Sequence, residues 1–218
     1  VVILYDFVGL DSMTSNPLEK LGVYLWNRKW SYNYRKKITP PIDMGLFIGQ
    51  PEDIPDRSFG LLLPNRRDFA KAMFQFLGYV LPFDVSTLPG KKKKKKKYGF
   101  HNNPLVIASV GGTSIGEDLL ELCGKAFIHA QKRIPDLQMT LITGPRIKPD
   151  FLNVPDEIRV LPFVPKLYEY FAAADLVIVQ GGATSIIELT ALNKPFIYFP
   201  LDGHCEQANI ADNLRKKN

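Results

Sequence analysis

The sequence predicts an α/β protein whose second half is built on a doubly wound, parallel sheet. Two observations carry that prediction. From Pro104 onward, short runs of aliphatic and β-branched residues alternate with helix-forming segments, and the runs are continuous rather than polar-alternating, as in strands buried on both faces. Two of these runs, PLVIASVGG and DLVIVQGG, end in paired glycines, which puts bare backbone at the strand carboxyl ends, where open α/β sheets bind their ligands. At 218 residues, 45% of them hydrophobic, the chain can bury roughly 70% of its unfolded surface, enough for one large domain or two small ones.

In chain order, VVILYDFVGL opens as a strand. SNPLEKLGVYLWNRKWSYNYRKK then carries helix signals: a cap at Ser15 or Asn16, Pro17 at the first helical position, and apolar residues at Leu18, Leu21 and Leu25. This basic, aromatic helix either lies on anionic lipid or packs half-buried with Trp26 and Trp30 in the core. MGLFIGQPEDIP reads as a strand and turn, and NRRDFAKAMFQF as a short helix. The turn-rich GYVLPFDVSTLPG leads into seven lysines, Lys91 to Lys97, and marks a boundary. The expected organisation is 1–82, a linker at 83–100 with the lysine run, and 101–218.

In the second half, PLVIASVGG is a strand, SIGEDLLELCGKAFIHAQKR an amphipathic helix, and LQMTLITG and IRVLPFV further strands. A short helix, KLYEYFAAA, precedes the strand DLVIVQGG, the helix TSIIELTALN, the strand PFIYFP and a last helix from about Cys205. The chain begins inside an apolar strand without Met and ends in a charged helical tail; it reads as an internal piece of a longer protein.

Composition excludes several function classes. The formal charge is +6, but without the seven lysines it becomes −1. The basicity is therefore local, and no nucleic-acid-binding face is expected. The run itself reads as a solvated linker or helix face whose like charges repel. Cys123 and Cys205 lie far apart with no metal-ligand spacing, so reduced thiols and no metal site are expected. No stretch of about 18 apolar residues offers a membrane span.

The segment VGGTSIGED, Val110 to Asp118, has the glycine spacing of a P-loop, but Glu117 and Asp118 stand where Lys and a hydroxyl belong. Neither Gly-Gly segment supplies the G-x-G-x-x-G of a dinucleotide fingerprint. What both supply is backbone at a helix N-terminus, where unpaired N–H groups and the positive dipole end meet an anion. A competing reading is internal: Ser114 with Glu117, and Ser185 with Glu188, each form S-x-x-E, the capping box that satisfies those N–H groups without a ligand.

The ordered segments VIASVGGTSIG, LITGPRI, PFVPKLYEYFAAADLVIVQGGATSIIELTALNKPFIYFPL and HCEQANIADNL together resemble the C-terminal, donor-binding domain of GT-B glycosyltransferases. The likeness is greatest to glycosyltransferase family 28, which includes the MurG-type N-acetylglucosaminyltransferases, and part of it is shared with the UDP-glycosyltransferase signature. It runs from Pro104 to the end. The first part of the chain is similar to the C-terminal portion of the N-terminal, acceptor-side domain of the same family. The resemblance implies a Rossmann-like, UDP-sugar-binding domain at 101–218, after the end of an acceptor-side α/β domain at 1–82.

The resemblance also implies residue roles. Glu188 would accept hydrogen bonds from both ribose hydroxyls, a carboxylate being a bidentate acceptor for a cis-diol. Gly182, Ala183, Thr184 and Ser185 would present N–H groups and hydroxyls to the diphosphate, with Gly111, Gly112 and Thr113 facing it across the cleft. Phe163 would lie beside the uracil, the Val164 backbone pairing with the base edge; otherwise Phe163 is a core aromatic. Glu206 and Gln207 match the pair that reads the donor sugar, or else sit on an exposed first helical turn. Gln180 stands where the signature has a phosphate-contacting His, and carries no charge. His204 is a candidate contact for donor or acceptor, or incidental.

The expected reaction is an inverting transfer of N-acetylglucosamine or glucose from a UDP-sugar to an acceptor hydroxyl. The resemblance places its base on a loop near the start of the N-terminal domain; in this chain only Asp6 and Asp11 come near such a position, and both also read as turn carboxylates. No metal or cofactor is expected beyond the donor. The acceptor is unidentified, with the basic aromatic helix hinting at a lipid-linked one, and the expected location is the cytoplasm or, peripherally, the membrane's inner face. Two other readings remain: a non-catalytic nucleotide-sugar-binding subunit that needs a partner domain, and a sugar-nucleotide epimerase.

Overall fold

The buried apolar runs become parallel strands. The structure, a computed structural model, describes residues 1–36, 43–112 and 115–217. It divides into two units, Val1–Pro82 with Asp202–Asn218, and Phe83–Leu201.

In the first unit, β1 (Val2–Tyr5), β2 (Met44–Ile48) and β3 (Phe74–Gly78) pair in parallel in the order β1-β2-β3. Helix α1 (Pro17–Lys36) starts as its sequence signals: Asn16 Oδ1 accepts from the Leu18 N–H at 2.9 Å. Glu19 folds back to accept from the Met13 N–H at 2.8 Å and the Ser12 hydroxyl at 3.0 Å, fixing the chain's entry into the helix. The buried Asn27 amide accepts from the Leu10 N–H and donates to the Leu10 and Phe59 carbonyls, all within 3.1 Å. One polar side chain thereby satisfies two loops.

Trp30 joins the core, with ring centroids 5.8 Å from Phe59 and 5.7 Å from Phe69. Trp26 does not; it is largely exposed and stacks on Trp30 at 5.9 Å. Helix α2 (Arg66–Met73) is capped by Asn65 Oδ1, which accepts from the Arg67 and Asp68 N–H groups. It ends earlier than the expected NRRDFAKAMFQF helix, because Phe74 and Phe76 fall two residues apart and pack on Phe47 of β2. That spacing is the strand period.

The second unit holds β4 (Leu105–Ser109), α3 (Lys91–Lys97), α4 (Glu117–Gln131), β5 (Gln138–Ile142), β6 (Arg159–Leu161), α5 (Leu167–Ala173), β7 (Leu176–Gln180), α6 (Ala183–Ala191) and β8 (Phe196–Phe199). Its five strands are parallel in the order β6-β5-β4-β7-β8. All five residues of the central β4 are buried, as the continuous apolar run requires. Leu120, Cys123 and Phe127 of α4 pack on Val106, Ala108 and Leu141. After β4 the chain turns to β5 on one side, and β7 lies on the other; this reversal is the topological switch point, and it opens a crevice beyond Ser109 and Gln180.

Two features differ from the expected organisation. The last helix, α7 (Cys205–Lys217), falls within the first unit, where Asn213 Nδ2 donates to the Asp53 carbonyl at 3.1 Å and Arg57 donates to Asn209 Oδ1 at 3.3 Å. The lysine run is a helix of the second unit rather than a linker; Lys91, Lys92, Lys93, Lys96 and Lys97 are exposed, as on a solvated helix face, but Lys94 and Lys95 are buried, Lys94 at 1% exposure. The physical reason lies in α5 and the residue before β7. Glu169 accepts from Lys97 Nζ at 2.5 Å and from the Tyr98 hydroxyl at 2.6 Å, with Lys94 Nζ 3.6 Å away. Asp175 pairs with Lys91, and with Lys95 at 2.7 Å.

Candidate functional site

The loops after β4, β5 and β7 meet at the switch point, and two of their glycines, Gly144 and Gly116, stand where there is no room for a side chain. A Cβ on Gly144 (φ +75°) would lie 2.2 Å from the Gly111 carbonyl oxygen, and one on Gly116 (φ +143°) 2.7 Å from Gln180 Oε1. Both contacts are far inside van der Waals range, and both backbones are in the region that favours glycine. Gly144→Ala is therefore expected to lower stability by about 1–2 kcal/mol and to displace the Gly111 loop. A melting curve checks the first effect, and weakened nucleotide binding the second. Gly144 was not singled out as a site residue in the sequence; only its place after an apolar run in LITGP signals it.

Beyond β7 the chain passes through Gly181, whose carbonyl accepts from the Tyr198 hydroxyl at 2.9 Å, to Gly182, the N-cap of α6. Tyr198 is a second residue that the sequence did not flag. No side chain caps α6, and its first turn contains no acid. With Ala183 first, Ser185 is the third helical residue and Glu188 the sixth, so the pair does not form a capping box. The N-terminus of α4 differs: its cap is Gly116, its first two residues are Glu117 and Asp118, and Ser114 lies outside the described residues. Those two carboxylates already complement the α4 dipole and repel an anion. Of the two helix starts, that of α6 is the one with neither a side-chain cap nor an acid in its first turn.

Glu188 is 8% exposed on α6, and among the described residues its carboxylate has no hydrogen-bond or ion-pair partner. Burial pushes its pKa above the ordinary glutamate value. A buried carboxylate without donors is costly, and a ligand that brings hydroxyl donors removes the cost. Next to this helix, Gln180 Oε1 is buried and also unpartnered. The β7–α6 segment therefore carries one orphaned buried acceptor, Gln180 Oε1, and beside it a largely buried carboxylate, Glu188.

Because the strands are parallel, the other predicted residues of this unit come to the same sheet edge. Gly111 and Gly112 follow β4 and are exposed; Thr113 lies outside the described residues. Ala183, Thr184 and Ser185 form the first turn of α6. Phe163, between β6 and α5, is 60% exposed and so is not a core aromatic, and Val164 beside it is half-buried.

The remaining candidates belong to the first unit. Asp6 and His204 are exposed. Asp11 receives Arg66 in a bidentate pair at 2.7 and 3.0 Å and Arg57 at 2.6 Å. Burial raises its pKa, but the hydrogen bonds and charge of Arg66, with the charge of Arg57, outweigh it and hold the carboxyl below its ordinary value. Glu206 and Gln207 open α7, and Gln207 is buried. Among the described residues, no three or more His, Cys, Asp or Glu side chains are grouped to hold a metal ion, and no helix is long and apolar enough to cross a membrane.

Residues 106–218 match the model of the glycosyltransferase family 28 C-terminal domain. Among curated proteins, the chain is 33% identical over 109 residues to an uncharacterised glycosyltransferase of Methanosarcina acetivorans, a match covering 50% of this chain and 28% of the relative. It is 26% identical over 114 residues to a UDP-N-acetylglucosamine--N-acetylmuramyl-(pentapeptide) pyrophosphoryl-undecaprenol N-acetylglucosamine transferase of Carboxydothermus hydrogenoformans, covering 50% of this chain and 30% of that one. The chain thus spans about a third of the length of these relatives. Among solved structures, the kitacinnamycin glycotransferase is similar at a TM-score of 0.51 and 16% identity, over 92% of this chain and 49% of that one. The calicheamicin glycosyltransferase CalG4 is similar at a TM-score of 0.51 and 14% identity, over 99% and 58%.

Proposed function

Since the chain belongs to the glycosyltransferase family 28 C-terminal domain family, we propose that it binds a UDP-sugar through its second unit and serves transfer of the sugar to an acceptor hydroxyl. Its fold is of the GT-B type. The observation that carries the proposal is Glu188: a buried, partnerless carboxylate one and a half turns into a helix whose N-terminus is uncapped. The spacing suits one ligand. The cis-diol of a ribose supplies two donors to a carboxylate, and the attached diphosphate supplies the anion for the open helix end.

In this reading the diphosphate takes the N–H groups of Gly182 to Ser185, with Gly111, Gly112 and Thr113 opposite. The Gln180 carboxamide turns one polar end to the ligand. Phe163 offers an exposed ring for the uracil and Val164 a backbone partner for its edge. Glu206 and Gln207 read the sugar hydroxyls, and His204 is a further contact candidate. The sugar is N-acetylglucosamine or glucose, transferred with inversion, the α6 dipole stabilising the departing diphosphate without a metal. Asp11, held as an anion by two guanidiniums, is a weak proton acceptor, and Asp6 is the freer carboxylate of the two. We propose a lipid-linked acceptor met at the cytoplasmic face of a membrane.

Calorimetric titration of the chain with UDP, with GDP and NAD as controls, tests the donor site. At about 150 mM salt, screening keeps the exposed lysines from collecting anions at random. Saturable binding selective for UDP is expected; equal weak binding of all three nucleotides would refute the reading.

A further inference from the structure

The glycine loops and the first turn of α6 offer hydrogen-bond donors but no formal positive charge: neither 110–116 nor 181–185 contains a basic residue. The start of α6 contributes a dipole worth about half an elementary charge. Gln180, which ends β7 ahead of it, is neutral. A sugar diphosphate bears a negative charge on each phosphate and gains another as the bond to the sugar breaks, so the dipole alone leaves most of that charge unbalanced.

Cations at this edge of the second unit come from the loops after β5 and β6. The loop after β6 has Lys166, the N-cap residue of α5, whose charge bears on Lys94 in the α3–α5 network. The loop after β5 has Lys148, with its Nζ 5.5 Å from the centroid of the Phe151 ring. It also has Arg146, which is exposed and among the described residues makes neither a hydrogen bond nor an ion pair.

The backbone that carries Arg146 is fixed. The Thr143 N–H donates to the Leu161 carbonyl at 2.9 Å and the Thr143 hydroxyl to the Ile147 carbonyl at 2.8 Å. Ile147 is buried in the core cluster of α4, and Pro145 restricts the residue before the arginine. Residues 144–146 are thus the tip of a closed turn, and that tip abuts the Gly111 carbonyl, where Gly144 has no room for a Cβ. Neighbouring strands lie about 4.8 Å apart, which puts the crevice between β4 and β7 about 7 Å from β5, within reach of an extended arginine.

We propose that Arg146 binds the diphosphate of the nucleotide donor, its guanidinium donating to phosphate oxygens from the side opposite the α6 N-terminus. It supplies the charge that Gln180 lacks. Because the charge on the departing diphosphate grows as the sugar is released, the same contact strengthens in the transition state. The inference rests on the donor-site reading and adds a residue to it.

Titrations of the chain with UDP and with uridine, the nucleoside without phosphates, test the assignment. Arg146→Gln should lower UDP affinity about tenfold to a hundredfold, the loss of a charged hydrogen-bonding partner. It should leave uridine binding and the melting temperature as in the parent, and flatten the decline of UDP affinity with salt. Arg146→Lys, which keeps the charge without the planar fork, should recover part of the affinity. Lys148→Gln, two residues on, should cost less than about twofold. UDP bound by Arg146→Gln as tightly as by the parent, or an equally large loss with Lys148→Gln, overturns the assignment. So does an equal loss for uridine, since the turn would then support the site by packing alone. A parent that binds no UDP sinks the donor-site reading and this inference together; selective UDP binding by the parent, matched by Arg146→Gln, leaves that reading standing and removes Arg146 from the site.

Discussion

Glu188→Ala is expected to weaken UDP binding by about tenfold to a hundredfold, 1–3 kcal/mol for a charged hydrogen-bonding partner, without lowering the melting temperature. The two halves of that result come from one observation. In the ligand-free chain the carboxylate is buried with no donor, so its removal relieves a desolvation penalty and costs only a small volume. In the complex it would hold both ribose hydroxyls, so its removal leaves them unpaired. A capping role predicts the opposite pattern, a stability loss of about 1 kcal/mol with binding unaffected. Deoxy-UDP lacking the ribose hydroxyls should bind the parent no better than UDP binds Glu188→Ala; equal binding of UDP and its deoxy form by the parent would remove the assigned role.

The pH dependence has a fixed sign. Burial raises the Glu188 pKa in the free chain, and the hydroxyls bind the ionised form, so UDP affinity should fall as pH drops through that raised value and be flat above it. Glu188→Gln should lose this dependence. Isothermal titrations between about pH 4.5 and 8 would show it as proton uptake on release, by linkage.

How much of this was legible in the sequence depends on the range of the interaction. The strands β4 and β7 and their terminal glycines were readable because a strand buried on both faces writes a continuous apolar run, and a loop closed on another backbone writes glycine. Glu188 was readable as a position, but whether it capped α6 was not: S-x-x-E is the same pattern wherever the helix starts, and the start at Ala183 is set by the turn through Gly181 and its bond to Tyr198, 17 residues on. Asp11 was ambiguous for a similar reason. Its partners Arg57 and Arg66 lie 46 and 55 residues away, and no local signal distinguishes a clamped carboxylate from a free one. The lysine run was the extreme case. A uniform segment has no periodicity, so nothing within it announces that Lys94 and Lys95 face inward.

That buried face makes a large effect expected at α5. Glu169→Ala should destabilise the chain by about 3–5 kcal/mol, the usual result of removing one partner of a buried pair, and should do so through Lys94. Hydrogen bonds from Lys97 and Tyr98, with the charges of Lys94 and Lys97, bring the Glu169 pKa down to about 2. For Asp175, burial pushes up, but hydrogen bonds from Lys91, Lys95 and the Leu105 N–H bring it to about 2. A carboxylate depressed on folding contributes stability that is complete above its unfolded value and lost as pH falls through the folded one. The parent should therefore lose stability between about pH 4.5 and pH 2, and Glu169→Ala should show a shallower loss there. Burial lowers the Lys94 pKa and Glu169 counters it; without Glu169 the amine must shed its proton to stay buried. The variant should accordingly gain on the parent as pH rises above neutrality. Urea unfolding at pH 3, 7 and 9 reads all three limbs, and a cost below about 1 kcal/mol at pH 7, the worth of an exposed ion pair, would mean that this network does not hold α3 in place.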